Sequence, residues 1–303
     1  MADVWPALPL AAWHDTYATL HMWTQIVGKT RLALAPPVNH WWQIAQYVTS
    51  RGLTTSPIPH GQRTFEVEFD FVAHSLIVTA SDGARDVMPL RPQTVAEFYH
   101  EYMKLLGSLR LEVKIWPVPV EVESSLRFPD DQIHREYDPE WANRLWRVLV
   151  QADRVLKKFR GRFLGKASPV HFFWGSFDLA ATRFSGRTAP RHPGGAANLG
   201  NWVMEEAYSH ECSSLGFWPG GAAIPEPVFY AYAYPEPEGF RNYPIAPAAA
   251  RYDDTMREFV LPYEAVRTSA TPDNTLLEFA QTTYAAAADL GRWDRGALER
   301  PPA

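Results

Sequence analysis

A chain of 303 residues, 46% hydrophobic and 21% charged, has room for a large core and is too ordinary in composition for a disordered or fibrous protein. A net charge of −5 speaks against a general nucleic-acid binder, and no apolar run approaches membrane-spanning length. The start, MADVWPALPL, lacks the basic and apolar regions of a secretory signal, and the single cysteine, Cys212, excludes an internal disulfide and fits a cytoplasmic protein.

Leu20, Trp23, Ile26 and Val27 recur at helical spacing and predict a helix over 15–29. TRLALA and NHWWQIAQYVTS read as two strands divided by a turn at Pro36-Pro37. In RTFEVEFDFVAHSLIVTASDG, Phe65, Val67, Phe69 and Phe71 alternate with polar residues, a hairpin pattern closed by Ser81-Asp82-Gly83. Val95, Phe98, Tyr102, Leu105 and Leu106 form the apolar side of a second helix that ends near Gly107. RLEVKIWPVPVEV is extended, with prolines that suit only a sheet edge. Asp138 caps and Pro139 opens a long helix, EWANRLWRVLVQADRVLKKF. HFFWGSFDLAATRFSGR follows as a central strand, then a loop over GRTAPRHPGGAANLGN. EAYSHECSSLGFW, PVFYAYAYP and MREFVLPYEAV read as strands, and TPDNTLLEFAQTTYAAAADLG as the last helix.

Two stretches align at constant offset: Arg31-Leu32 to His40-Trp41-Trp42, and Arg162-Phe163 to His171-Phe172-Phe173. Pro92, Thr94, Glu97 and Phe98 likewise match Pro272, Thr275, Glu278 and Phe279 with one inserted residue. The expected class is therefore α+β: two diverged helix–strands–helix repeats with mostly antiparallel sheets, forming a pseudo-dimer. The N-terminal repeat spans 1–120, a linker 121–137 and the C-terminal repeat 138–303, packed as one globular unit.

The chemistry-bearing residues concentrate in the second repeat. On a regular strand His171, Phe173 and Gly175 share one face, and Trp174, Ser176 and Asp178 the other; a bulge at Gly175 would bring His171 and Asp178 together. Asp178 in so apolar a run needs a partner, and Arg183 and Arg187 are the nearest candidates, to pair with it or to clamp an anionic substrate. From Arg154 to Gly200 nine Lys and Arg stand against Asp178 alone; those up to Arg162 suit the exposed end of a helix. In YSHECSSLGFWPGG, His210 and Cys212 share a face and Glu211 points away. His171 and His210 with a carboxylate would hold a divalent transition metal, or act as acid and base with Asp178 or Glu211 assisting. Trp174 and Trp218 would wall the substrate pocket. Ser176 lies outside any nucleophile-elbow motif. His21, a turn before Gln25, and His40 read as helix–sheet packing or as the counterpart of that site in the first repeat.

The stretches WPALPLAAWHDTYATLHMWTQIVGKTRLAL, NHWWQIAQYVTSRGLTT, HFFWGSFDLAATRFSGR and SHECSSLGFWPGG resemble an uncharacterised bacterial family carried as a domain of unknown function. The resemblance covers nearly the whole chain and implies no activity, cofactor or catalytic residue.

The residues themselves suggest an enzyme for a small anionic molecule, monomeric or homodimeric, working by acid–base or metal-assisted chemistry. A non-catalytic module that clasps an aromatic ligand between the repeats is the alternative, and a partner-binding protein with exposed rings a third.

Overall fold

The computed structural model describes residues 3–301. A helix, α1 (His14–Leu34), opens the fold and is buried without interruption from Thr19 to Thr30. Its threonines and Gly28 keep it slim enough to run through the interior; a methyl at Gly28 would fall inside the Trp174 indole. Beyond it lies a six-stranded antiparallel sheet of β1 (Tyr47–Val48), β2 (Gly52–Thr54), β3 (Ile58–His60), β4 (Arg63–Asp70), β5 (Ser75–Ala80) and β6 (Arg85–Pro89). β2 and β3 pair with successive parts of β4, and β5 and β6 continue the meander. α2 (Val95–Ser108) follows, opened by a capping box in which Thr94 Oγ1 accepts from the Glu97 N–H and Glu97 accepts from the Thr94 N–H.

α3 (Pro139–Gly161) begins as its sequence demands, with Asp138 Oδ1 accepting from the N–H groups of Glu140 and Trp141. A second antiparallel sheet holds β7 (His171–Phe173), β8 (Asp178–Thr188), β9 (His210–Trp218), β10 (Val228–Tyr234), β11 (Arg251–Asp253) and β12 (Glu258–Pro262) in the order β7-β8-β9-β10-β12-β11. α4 (Asn201–Ala207) lies in the β8–β9 connection, and α5 (Tyr263–Arg267), α6 (Pro272–Leu290) and α7 (Arg295–Leu298) close the chain. Gln46 and Phe172 exchange backbone hydrogen bonds at 2.9 Å in both directions, so the two sheets meet edge to edge. The architecture is α+β with two antiparallel six-stranded sheets.

The faces of the second sheet differ. Leu179, Ala181, Leu215, Phe217, Phe229, Ala231, Phe259 and Leu261 fall on one face by register and enter the core that α3 and α6 cover. Asp178, Thr182, Ser214, Tyr230, Tyr232 and Glu258 fall on the other. One face is therefore an apolar floor and the other carries chemistry.

Several local expectations change. TRLALA continues α1 to Leu34, and the helix stops where Pro36 and Pro37 forbid it. NHWWQI is a kinked 3₁₀ segment, Asn39–Ile44, with His40 and Trp41 both left-handed (φ 60° and 62°). Arg31–Trp42 and Arg162–Phe173 therefore have unlike structures despite their shared pattern. The β4–β5 hairpin turns at 71–74, where Asp70 Oδ1 accepts from the Val72 and Ala73 N–H groups, and Ser81-Asp82-Gly83 instead joins β5 to β6. HFFWGSFDLAATRFSGR is a hairpin rather than one strand: the chain reverses over 174–177, with Phe177 left-handed (φ 60°), and Phe173 pairs with Asp178. The glycine that suggested a bulge sits in that turn.

Candidate functional site

The β7–β8 turn sets Ser176 and Asp178 at the edge of the polar face. Ser176 Oγ donates to Asp178 Oδ1 at 2.5 Å, and the Tyr230 hydroxyl donates to Asp178 Oδ2. Tyr230 reaches it because the residue beside it on β9 is Gly216; a methyl there would fall inside the tyrosine ring and 2.6 Å from the Leu179 carbonyl oxygen. The Tyr230 and Tyr232 rings stack at 6.1 Å, and the Tyr232 and Tyr208 hydroxyls bond at 2.8 Å. His192 stacks on Tyr208 at 4.6 Å.

Glu121 enters from the connection between α2 and α3, its carboxyl lying over Gly175 where any side chain would collide with it. Its backbone is left-handed (φ 58°), a costly state for a non-glycine residue, and it is held from both sides. The Gln25 amide of α1 takes both backbone groups of Val120, each at 2.9 Å, and the Glu121 N–H donates to the Ala197 carbonyl at 2.8 Å. His21, one turn before Gln25, donates to the Gly175 carbonyl at 2.8 Å. Burial lowers the His21 pKa to about 4, so this ring is a neutral brace.

Burial pushes the Glu121 carboxyl up to about 7, helped by the negative charge of Asp178 and opposed by the Ser176 hydroxyl. Glu258, on the same face, rises to about 8 through burial and the charges of Asp178 and Asp253. Asp178 rises by burial, against the bonds from Ser176 and Tyr230. Tyr17 rises to about 12, mainly by burial. Glu121 is exposed as a residue although its carboxyl is enclosed over the turn, and Asp178 and Tyr230 are buried, so the three form an enclosed polar cluster with Glu121 on its outer side. Among the described residues no lysine or arginine figures among the groups acting on these three carboxyls.

Ser176 has one proton and gives it to Asp178. Asp178 is thereby bonded at both oxygens, by Ser176 and by Tyr230, with the Glu121 carboxyl beside them.

The residues named from sequence scatter. Asp178 and Trp218 belong to the cleft. His171 is fully buried with neither ring nitrogen bonded, enclosed by Trp42, Tyr47 and Phe173, and burial lowers its pKa to about 3. His171 pairs with Ala180 and His210 with Thr188, eight residues along β8, on the order of 25 Å at the rise of a strand. The two histidines cannot share a metal, and among the described residues no three His, Cys, Asp or Glu side chains are grouped to hold one. His210 instead meets the Ser209 hydroxyl and the edge of His40.

Arg183 stands five residues from Asp178 and so faces the core, its guanidinium 3.5 Å from the Phe159 ring and 4.3 Å from that of Tyr284. Arg187 pairs with Glu211 and donates to the carbonyls of Gly291 and Arg292 at the end of α6, a favoured place for a cation. Neither arginine reaches Asp178. Trp174 is a core residue whose indole donates to the Ile44 carbonyl at 2.8 Å.

Tyr230, Tyr232 and Glu258 were missed, though FYAYAY, read at period two, sets its tyrosines on one face. Glu121 has no local signal at all. Among the described residues no helix is long and apolar enough to cross a membrane. No curated protein and no solved structure matches the chain. A family model described as "Family of unknown function (DUF5996)" matches residues 5–300, and the chain belongs to that family.

Proposed function

We propose that the protein is a small-molecule enzyme that moves a proton on a neutral or positively charged substrate in the Asp178 cleft. The observation that carries this reading is the buried Asp178 carboxyl, bonded by Ser176 and Tyr230, with the Glu121 carboxyl and its raised pKa beside it. A carboxyl with a pKa near the working pH can both give and take a proton. Glu121 is the acid and base, and Asp178, accepting from Ser176 and Tyr230, is held in place beside it. The preference for a neutral or cationic molecule rests on the three carboxyls and the absence of a facing cation among the described residues. Tyr208, Tyr232 and Trp218 supply apolar walls, and their rings suit an amine or the face of a polyol. The long helix, antiparallel sheet and closing helix found in each half also support a duplicated origin for the framework, with divergence in the loops.

The test is a thermal-shift panel of amines, polyols and carboxylates at pH 7 with wild type, E121Q and D178N. Amines or polyols are expected to raise the wild-type Tm and to lose most of that effect in D178N. Turnover of any hit should follow an ionisation near pH 7 that E121Q abolishes. Stabilisation by carboxylates alone, unchanged in both variants, would overturn the proposal.

A further inference from the structure

At the end of α3 the chain passes through Gly161–Ala167 before reaching β7, and Arg300 returns alongside it, its N–H bonded to the Arg162 carbonyl at 3.0 Å. Between them is an open cavity of about 430 Å³. Arg160, Lys166 and Arg300 line it, with Phe163 and Leu164 as its apolar wall and no acidic side chain. The neighbouring carboxylate, Glu299, is occupied elsewhere: it accepts from the Tyr284 hydroxyl at 2.9 Å and from Arg295 Nε at 2.6 Å. Extended backbone at Glu299 sends it and Arg300 to opposite sides.

Among the described residues none of the three cations enters an ion pair. Each is held by a neutral acceptor instead. Arg160 Nε donates to the Ser168 carbonyl, Arg300 Nε to the Gly161 carbonyl at 2.9 Å, and Lys166 Nζ to His40 Nε2 at 2.8 Å. Among the described residues these bonds use one nitrogen of each guanidinium, and the terminal amino groups of both arginines have no other partner. A helix C-terminus attracts cations, which accounts for the Arg300 bond to Gly161. Lys166 is held by His40 and by the rings of Trp42 and Phe184, 5.3 and 5.2 Å from its ammonium, but nothing of this kind accounts for two guanidinium forks at one cavity. Three like charges around a cavity repel one another until an anion enters, and a guanidinium fork matches the oxygens of a phosphate.

We infer that this cavity binds a small organic molecule through a phosphate group, the phosphate on Arg160, Arg300 and Lys166 and the organic part on Phe163 and the half-exposed Leu164 (52%). The site is separate from the Asp178 cleft and does not depend on that cleft's function.

The probe is phenyl phosphate, with inorganic phosphate and phenol as its two halves, titrated by calorimetry against the full chain at pH 7.5 in low salt. Phenyl phosphate is expected to bind saturably, to weaken as salt rises, and to bind at least tenfold more tightly than either half. R300Q should lower the affinity at least tenfold while its melting temperature stays near wild type, since Arg300 is exposed near the end of the chain. R160K, which keeps the charge but not the fork, should weaken binding less than R160Q. R91Q, an exposed arginine paired with Glu101, is the control and should bind as wild type does. No saturable binding, or binding by R300Q and R160Q as tight as that of wild type, would overturn the inference. Equal affinity for inorganic phosphate would overturn the organic part of it.

Discussion

Glu121 shows how one residue's surroundings make stability depend on pH. Its carboxyl lies over the β7–β8 turn near Asp178, and its pKa in the folded protein is pushed from 4.5 to about 7. An acid with a raised folded pKa holds its proton more tightly in the native state. Its stabilising effect is therefore complete below pH 4.5 and is lost as pH rises through 7; Glu258, raised to about 8, extends the window by a unit. E121Q keeps the shape and removes the ionisation. Its melting temperature should match wild type at pH 5 and exceed it at pH 8. Each pKa unit is worth at most about 1.4 kcal/mol, and solvent access to Glu121 reduces that. The expected gain is therefore only about 2–4 °C in a chain of this size. Equal melting temperatures for the two proteins across pH 5–8 would mean that the carboxyl is not perturbed.

At the level of elements, α1 acts as a brace. Gln25 satisfies the N–H and the C=O of Val120 from the buried interior of the fold, so the segment bearing Glu121 is fixed by a helix 95 residues earlier. Gln25→Leu fills a similar volume and bonds to neither group, leaving two buried backbone groups unpaired. Each such group costs about 1–3 kcal/mol. The denaturant midpoint should fall accordingly, the Val120 amide should exchange faster, and binding in the cleft should weaken even though Gln25 touches no ligand; unchanged exchange at Val120 would show that the brace is dispensable. The helix itself was legible, since Leu20, Trp23, Ile26 and Val27 declare it, and so were α2, α3 and α6 through their caps and periodicity. The partner of Gln25 was not, because hydrogen bonds across 95 residues leave no local pattern. The β7–β8 hairpin was missed for a related reason. HFFWGSFDLA carries large apolar residues at both odd and even positions, so alternation gave no sign of reversal, and the turn puts Phe177 rather than a glycine in the left-handed conformation. That misreading changed the candidate site. Read as one strand, the stretch linked His171 to Asp178 and drew Arg183 toward them; folded as a hairpin, it keeps Asp178 on the polar face, walls in His171 and buries Arg183 in the core.

Over the whole molecule, the cleft takes parts from both halves of the chain. Tyr17, His21 and Gln25 come from α1, Glu121 from the connection, and Asp178, Tyr230 and Glu258 from the second sheet. The sequence set its main candidates in the second half because the scarce polar residues in apolar strands lie there, and left His21 and His40 as packing or a counterpart site because the helix pattern of the first half spells packing. Such a site needs the two halves fixed against each other. Two features do this: the paired backbone bonds between Gln46 and Phe172, and one cluster of buried side chains that runs from Trp5 to Trp293 through both sheets. Phe172 belongs to both, fully buried and edge-on to Phe177 at 5.1 Å. Phe172→Ala removes a ring at the junction, and truncation of a buried phenylalanine costs about 3–5 kcal/mol. If the halves fold as one cooperative unit, far-UV circular dichroism and tryptophan fluorescence will report the same single transition in wild type, and both midpoints will move down together in the variant. Wild type with two separated transitions, or a variant in which one midpoint moves and the other stays, would mean that each sheet melts on its own and that the cleft between them is held by less than the shared core implies.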